Sequence, residues 1–318
     1  MANPLRPALL AAARSPRIAR TLTGLRTTKK VVDRFVAGDC EDQLVAAADT
    51  LLASGRHLTI DYLGEDITDI AQAKDTAAHY RTVLSALGES GATSESVRPL
   101  EVSLKLSALG QSLPRDGDAI ALEHAHQVCE AAAAVGAWVT IDAEDHTTTD
   151  STLGIVRELR GEFPWLGTVL QAYLRRTEAD CRDLAGPGSR IRLCKGAYQE
   201  PATVAYRERE AVDQSYLRCL RVLMEGRGYP MVASHDPAII ESALRMVATT
   251  ERKNDEFEFQ MLYGIRDAEQ RRLAAAGYHL RVYVAYGSQW YGYFMRRLAE
   301  RPANLTFFLR AMAERNRA

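Results

Sequence analysis

LEVSLKL, residues 100–106, sets Val102, Leu104 and Leu106 on one side of an extended chain and Ser103, Lys105 and the following Ser107 on the other. Side chains alternate across a strand, so this run has an apolar face and a polar face. The same short apolar or β-branched character recurs in LTIDY (58–62), AWVTIDA (137–143), TVLQAYL (168–174), RIRLCK (190–195), PMVASH (230–235), FEFQMLY (257–263) and HLRVYVA (279–285). Val139, Ile141 and Ala143 alternate with Thr140, Asp142 and Glu144. Ile191 and Leu193 alternate with Arg190, Arg192 and Cys194, and Val282 and Val284 with Arg281, Tyr283 and Ala285. Ala-rich segments of helical period lie between the strands, for example 68–86, 119–134, 203–224 and 237–249. Thr177 and Asp236, the latter before Pro237, are N-cap candidates. Eight strands alternating with helices over about 230 residues predict an α/β fold, a parallel (β/α)8 barrel of the TIM type. A doubly wound sheet binding a dinucleotide would want GxGxxG after its first strand. The chain offers only the turn Gly186-Pro187-Gly188.

If the apolar parity faces the helices, the polar parity lines the barrel axis. Structural barrels fill that interior with branched apolar residues. Here it holds Lys105, Asp142, Gln171, Arg192, His235, Gln260 and Tyr283, mostly toward the C-terminal strand ends. Burying so many polar groups is costly unless a ligand or a network satisfies them. The barrel mouth is therefore the candidate site.

The last strand runs through a glycine turn into an aromatic helix, YVAYGSQWYGYFMRRLAE (Tyr283–Glu300). Glu300 follows Arg296 by four residues and Arg297 by three, so it can meet either on one helix face. An RRxxE pattern also describes a solvated salt-bridge ladder of little energetic worth. The aromatic neighbours Trp290, Tyr291, Tyr293 and Phe294 argue instead for a helix packed on the fold, with an anion facing its two guanidinium groups.

The composition is that of a folded globular protein: 318 residues, 47% hydrophobic, 25% charged. The formal charge of -1 gives no case for nucleic-acid binding. Residues 1–32 carry Arg6, Arg14, Arg17, Arg20, Arg26, Lys29 and Lys30 with no acid before Asp33. That start is compatible with an organelle transit segment, with an arm touching anionic lipid, or with helices lying on the main domain. No window approaches the ~18 apolar residues of a spanning helix. The domain reading is a basic helical arm over 1–57 and a catalytic barrel over 58–318. Cys40, Cys129, Cys181, Cys194 and Cys219 form no CxxC pair, which fits buried thiols in a reducing cytoplasm.

Several chemistries suit such a mouth. Asp142, Glu144 and His146 follow one strand parity and are the nearest approach to a metal set. No GxSxG or Cys/His elbow is present. Lys105 and Lys195, at strand ends, suit the inner lysine of a Schiff-base aldolase, with Arg192 beside Lys195 to favour a neutral amine. The cations with Trp290 and the tyrosines equally suit a large anionic aromatic cofactor beside a small carboxylic acid. Paired guanidinium forks grip a carboxylate in a way lysine cannot. On the residues alone these readings stay open.

RLCKGAY (Arg192–Tyr198), FEFQMLYG (Phe257–Gly264) and the closing stretch, with YLGE (Tyr62–Glu65), SLKLSALG (Ser103–Gly110), TIDAED (Thr140–Asp145) and LQAYLRRT (Leu170–Thr177), resemble the proline dehydrogenase family. The resemblance spans about residues 58–310 and keeps the family's order. The compact turn after the last strand looks like the monofunctional bacterial branch, with no aldehyde dehydrogenase domain.

The resemblance implies a distorted (β/α)8 barrel holding FAD non-covalently at its mouth, with a final helix over it. It implies oxidation of L-proline to Δ1-pyrroline-5-carboxylate, the first step of proline catabolism to glutamate, by hydride transfer to flavin N5. Electrons then pass to a quinone, at the inner face of the cytoplasmic membrane, and a separate pyrroline-5-carboxylate dehydrogenase takes the product. Carried over by position, Arg296, Arg297 and Lys105 bind the substrate carboxylate, Glu300 orients the arginines and Tyr283 packs beside the substrate ring. Asp142 and Arg192 are the catalytic pair, Arg192 also lying near N5. Ile141, Gln171, Lys195, Gly196, Ala197, Ser234 and His235 hold the cofactor, and Glu65 closes on Arg192 as a gate. Gln199, Ser234-His235-Asp236 and Ala285 depart from the family's usual residues, and the first two bear on the adenine and phosphate contacts. A non-catalytic proline sensor at a membrane is a further reading of the same residues, suggested by the basic arm.

Overall fold

Each strand read from the alternation is a strand in the computed structural model, which describes residues 32–64, 67, 69–91 and 97–300. Of residues 89–91 and 298–300 only the backbone is described. The chain enters through α1 (Glu41–Ala53) and then alternates β1 (His57–Tyr62), α2 (Ile70–Gly91), β2 (Leu100–Leu104), α3 (Gly117–Ala134), β3 (Trp138–Ile141), α4 (Thr149–Arg160), β4 (Gly167–Gln171) and α5 (Thr177–Leu184). The second half is β5 (Arg190–Cys194), α6 (Arg209–Glu225), β6 (Tyr229–Ala233), α7 (Pro237–Thr250), β7 (Glu258–Leu262), α8 (Asp267–Ala275), β8 (Leu280–Tyr286) and α9 (Trp290–Glu300). All eight strands are parallel and close into a barrel, each paired with the next and β8 with β1. The closing register runs from His57 opposite Arg281 to Tyr62 opposite Tyr286.

Side-chain parity decides which way each residue points. Leu58, Ile60, Val102, Leu104, Val139, Ile141, Ile191, Leu193, Val282 and Val284 are buried in the layer between barrel and helices. Each such side chain removed from water is worth about 1.5–3 kcal/mol, so this parity fixes the strands against slippage. The opposite parity turns Thr59, Glu101, Ser103, Thr140, Arg190, Arg192, Glu258, Gln260 and Arg281 inward, all nearly inaccessible to solvent.

α1 packs Leu44, Ala48 and Leu51 into the same core, so residues 41–53 are covered structure of the barrel. The basic residues of the arm lie outside the described residues. The helix expected from 203 begins instead at Arg209. Residues 204–206 are taken up by a short antiparallel link to the segment after β4: Arg175 N–H donates to Val204 O, and Tyr206 N–H to Tyr173 O. Asp236 caps α7 as its sequence implies, accepting from the Ala238 N–H at 3.1 Å ahead of Pro237. Thr177 does not cap. It is the first residue of α5, and its hydroxyl donates to Gln171 O at 2.6 Å. Cys129, Cys181 and Cys219 are buried thiols, Cys194 is partly covered, and Cys40 departs from the expectation by being exposed. Among the described residues no helix is long and apolar enough to cross a membrane.

Candidate active site

Inward-facing residues of six strands or their ends form one polar array at the C-terminal half of the barrel. Its hub is Arg192 on β5, only 4% exposed. Arg192 Nε donates to Gln260 Oε1 on β7 at 2.5 Å. Its Nη1 donates to Ser103 Oγ and to Asp142 Oδ1, both at 2.8 Å, and its Nη2 to Glu101 Oε1 at 2.6 Å. Asp142, just past β3, also accepts from Ser103 Oγ at 2.7 Å and, through Oδ2, from the Tyr283 hydroxyl at 2.8 Å. Lys105, just past β2, donates to Asp61 Oδ1 on β1 at 2.7 Å and stands 3.8 Å from Asp142 Oδ2.

One layer deeper, Arg281 Nε spans both oxygens of Glu258 at 2.8 and 3.1 Å. Glu101 bridges Arg190 and Arg192. Asp61, Glu101, Asp142 and Glu258 thus face Lys105, Arg190, Arg192 and Arg281, and the interior is neutral as a whole. Burial works against the Arg192 charge, but Glu101 and Asp142 outweigh it and hold its pKa above the ordinary value. Burial likewise pushes Glu101 up, and Arg190, Arg281 and Arg192 more than reverse it, so Glu101 is held well below the usual carboxylate range. Burial, reinforced by the Asp142 charge, raises the Tyr283 phenol well above its usual value, so it stays a donor.

A second group lies at the ends of β5 and β6. Lys195 Nζ is held between Asp213 and Asp236, the latter at 2.9 Å. Asp236 also receives Arg209 Nη2 at 3.6 Å. Ser234 Oγ accepts from the Asp236 N–H at 3.1 Å, and His235 Nε2 accepts from the Leu262 N–H at 2.9 Å. Gln171 Nε2 donates to Glu144 O at 2.7 Å. Between these groups the chain turns at Gly196, φ +105°, where a Cβ would sit 2.2 Å from a Tyr173 ring carbon. The loop from Lys195 through Ala197 owes its course to that glycine.

α9 follows β8 after three residues and therefore begins at the C-terminal end of the barrel. Trp290, Tyr291, Tyr293, Phe294 and Met295 are buried with Val32, Phe35, Leu63 and Ala285, so residues 290–295 of this helix are packed on the fold. Arg296 and Arg297 are partly covered, and Arg297 lies over the Tyr293 ring at 5.0 Å. The side chain of Glu300 and the whole of Glu65 lie outside the described residues.

The sequence-expected residues thus fall into three places: Lys105, Asp142, Arg192 and Tyr283 in one network, Lys195, Ser234 and His235 at the β5–β6 ends, and the arginine pair on α9. The side chain of Ile141, expected at the cofactor, is fully buried in the helix-facing core, because it has the parity of Val139. Asp142, Glu144 and His146 do not converge as a metal set. Glu144 accepts from Ser107 N–H and Oγ, while His146 pairs with Glu200. Asp61, Glu101 and Glu258 were missed as site-supporting carboxylates. Their signal was present, since each shares the inward parity of its strand. Schiff-base chemistry needs a neutral amine, and both candidate lysines are instead ion-paired with carboxylates.

A family model described as proline dehydrogenase matches residues 44–310. The chain is 39% identical over 282 residues to proline dehydrogenase 1 of Bacillus subtilis (strain 168), covering 89% of this chain and 90% of that protein. It is 40% identical over 284 residues to the proline dehydrogenase of Deinococcus radiodurans, with the same two coverages. Among solved structures, proline utilization A of Bdellovibrio bacteriovorus, inactivated by N-propargylglycine, superposes with TM-score 0.79 at 23% identity over 92% of this chain. This chain spans only 36% of that longer one, and the likeness bears on the fold.

Proposed function

The chain belongs to the proline dehydrogenase family, and on that premise we propose how its barrel mouth oxidises L-proline in proline catabolism. The product is Δ1-pyrroline-5-carboxylate, and the family's flavin is, in this chain, FAD held non-covalently. The observation that carries the reading is the Lys105–Asp142–Arg192–Tyr283 network, a polar array that no purely structural barrel needs, open toward the end where α9 brings Arg296 and Arg297.

The residues present suit a flavin. Lys195, Arg209 and the N-terminus of α7 bring cations and N–H donors to one side of the mouth, the chemistry that phosphate oxygens take. Gln171, Ser234, His235 and the backbone at Gly196 and Ala197 supply further polar contacts, and Arg192 is the cation available to an electron-rich ring. A bound flavin supplies the two-electron acceptor, and the protein supplies position and electrostatics.

Arg296, Arg297 and Lys105 hold the proline carboxylate, with Glu300 keeping the two arginines aligned. The Tyr283 ring packs beside the substrate ring while its hydroxyl holds Asp142 Oδ2. Arg192, fixed on three other sides, holds Asp142 Oδ1. Asp142 is therefore a preorganised carboxylate facing the substrate amine, and its orientation costs nothing when substrate arrives. Glu65 closes the mouth over Arg192. A quinone takes the electrons onward. The basic stretch within residues 1–32 makes a peripheral contact with anionic lipid, and a separate dehydrogenase consumes the product.

The visible spectrum of the purified protein tests this directly. A yellow protein bleached anaerobically by L-proline, and recoloured by a soluble quinone, is expected. Borohydride with substrate should trap no lysine adduct. A protein that cannot be loaded with FAD, or whose FAD ignores L-proline, would refute the reading. For the lipid contact, deleting residues 1–32 should abolish binding to anionic liposomes, and unchanged binding removes that role.

A further inference from the structure

Glu101 sits on β2 two residues before Ser103 and is fully buried. Both of its oxygens are occupied. Oε1 accepts from Thr59 Oγ1 at 2.7 Å and from Arg192 Nη2 at 2.6 Å. Oε2 accepts from Thr140 Oγ1 at 2.9 Å and from Arg190 Nη2. A carboxylate with four donors from β1, β3 and β5 cannot turn, and it is the only full negative charge on the Nη2 edge of Arg192 among the described contacts. On the Nε edge stands the neutral Gln260, and on the Nη1 edge stand Ser103 and Asp142.

Arg192 therefore lies between two carboxylates, one structural and one facing the mouth. A guanidinium between opposed anions is set by the balance of the two pulls. With Glu101 neutral, the guanidinium is drawn toward Asp142, and the Asp142 carboxylate must turn from Tyr283 to accept it. Such a shift happens beneath the reacting groups and away from Arg296 and Arg297.

We propose that Glu101 is a positioning residue for proline oxidation, anchoring Arg192 from below so that Arg192 and Tyr283 together fix Asp142 toward the mouth. This rests on the placement of Arg192 and Asp142 in the reacting site. It assigns to one buried acid a role in turnover separate from substrate binding. Removing its charge also leaves one uncompensated positive charge near the flavin, which favours the reduced cofactor.

The test is made on the FAD-loaded enzyme with Glu101→Gln, Glu101→Asp, Arg192→Lys and the Glu101→Gln/Arg192→Lys double variant. Expected for Glu101→Gln is a kcat lower by about ten- to a hundred-fold, the scale of a misplaced reacting group. KM for L-proline should stay near that of the parent, and the flavin reduction potential should move to more positive values. In the Arg192→Lys background the same change should have almost no further effect, since neighbours acting as one unit are non-additive. Glu101→Asp keeps the charge but withdraws it from Arg192. It should fold, keep the potential close to the parent's and still lose kcat, which decides the matter should Glu101→Gln prove insoluble. Parental kcat in Glu101→Asp, or additive effects in the double variant, overturns the positioning role. Parental kcat in Arg192→Lys overturns the placement on which it rests.

Discussion

The Tyr283 hydroxyl on β8 donates to Oδ2 of Asp142, just past β3, at 2.8 Å, joining two strands that are not neighbours in the barrel. Arg192 contacts both ends of this bond, with Nη1 on Asp142 Oδ1 and its guanidinium 5.4 Å from the Tyr283 ring. Tyr283→Phe keeps the ring and removes only the donor. Losing one hydrogen bond to a charged group costs about 1.5–3 kcal/mol, so kcat should fall roughly ten- to a hundred-fold. KM for L-proline should move little, because the packing surface remains. Steady-state kinetics with the flavin content checked by absorbance settles it: a large KM change with parental kcat would place Tyr283 in binding alone.

The barrel was legible in the sequence because side-chain parity is a strict period of two and most strands set apolar against polar along it. Val102 and Leu104 faced the helices and Ser103 and Lys105 the axis, although β4 and β6 turn apolar Val169 and Met231 inward beside Arg192. Lys105, Asp142, Arg192 and Tyr283 could be placed together for the same reason. Parity names the face but not the depth or the partner. It could not say that Arg190 and Arg281 belong to a buried charge layer below the mouth, or that Glu101 and Glu258 neutralise it. Ile141 entered the site through the family resemblance, and parity alone already placed its side chain on the helix-facing side with Val139. The late start of α6 was hidden because Val204, Ala205 and Tyr206 have the composition of a helix and are held extended by pairing with residues after β4, a tertiary effect.

The deeper layer makes a prediction about stability. Arg281 touches Glu258 through Nε and three backbone carbonyls through its other nitrogens: Leu58 O at 3.1 Å, Pro99 O at 3.2 Å and Arg98 O at 2.8 Å. It thereby ties β8 to β7, to β1 and to the entry of β2. Breaking one side of a fully buried pair leaves the other charge uncompensated, at a cost of about 3–5 kcal/mol. Glu258→Ala should therefore lower the unfolding midpoint in urea sharply. The folded fraction should keep a parental KM, since Glu258 lies away from the substrate groups. A midpoint within experimental scatter of the parent would show that the layer is not a stabilising element.

Acid sensitivity should come in two separable parts. His57 opposes Arg281 in the β1–β8 register and is pushed down to about 3, first by burial and then by the Arg281 charge. In the unfolded chain it returns to its ordinary 6.5. Between those values the unfolded state binds a proton that the folded state refuses, so stability falls as the pH drops through that window. Glu101 and Glu258 are held below the usual carboxylate range because their arginines outweigh burial. Their contribution is intact above the ordinary value of about 4.3 and is lost only as the pH falls through their lowered pKa values. His57→Phe should flatten the stability profile between about pH 6 and pH 4.5 and leave the steeper loss below it unchanged. Urea midpoints measured across that range decide the point. An unaltered slope would mean that His57 takes up its proton without unfolding the barrel.

In the proposed reading Arg296 and Arg297 serve substrate binding and not cofactor binding. Both sit on α9, whose apolar side chains are packed against residues 32–36 and the ends of β7 and β8, so the helix should persist when one guanidinium is removed. A guanidinium fork meets a carboxylate through two parallel charged hydrogen bonds. Losing it should cost about 1.5–3 kcal/mol of binding, or a rise in KM for L-proline of roughly ten- to a hundred-fold. Arg296→Met is expected to show that rise with full flavin occupancy and an unchanged visible spectrum. Arg296→Lys should recover only part of it, because a point charge restores attraction without the fork. Should Arg296→Met instead emerge colourless, with KM restored once FAD is supplied in excess, the arginine holds the cofactor and the proline carboxylate is gripped elsewhere in the mouth.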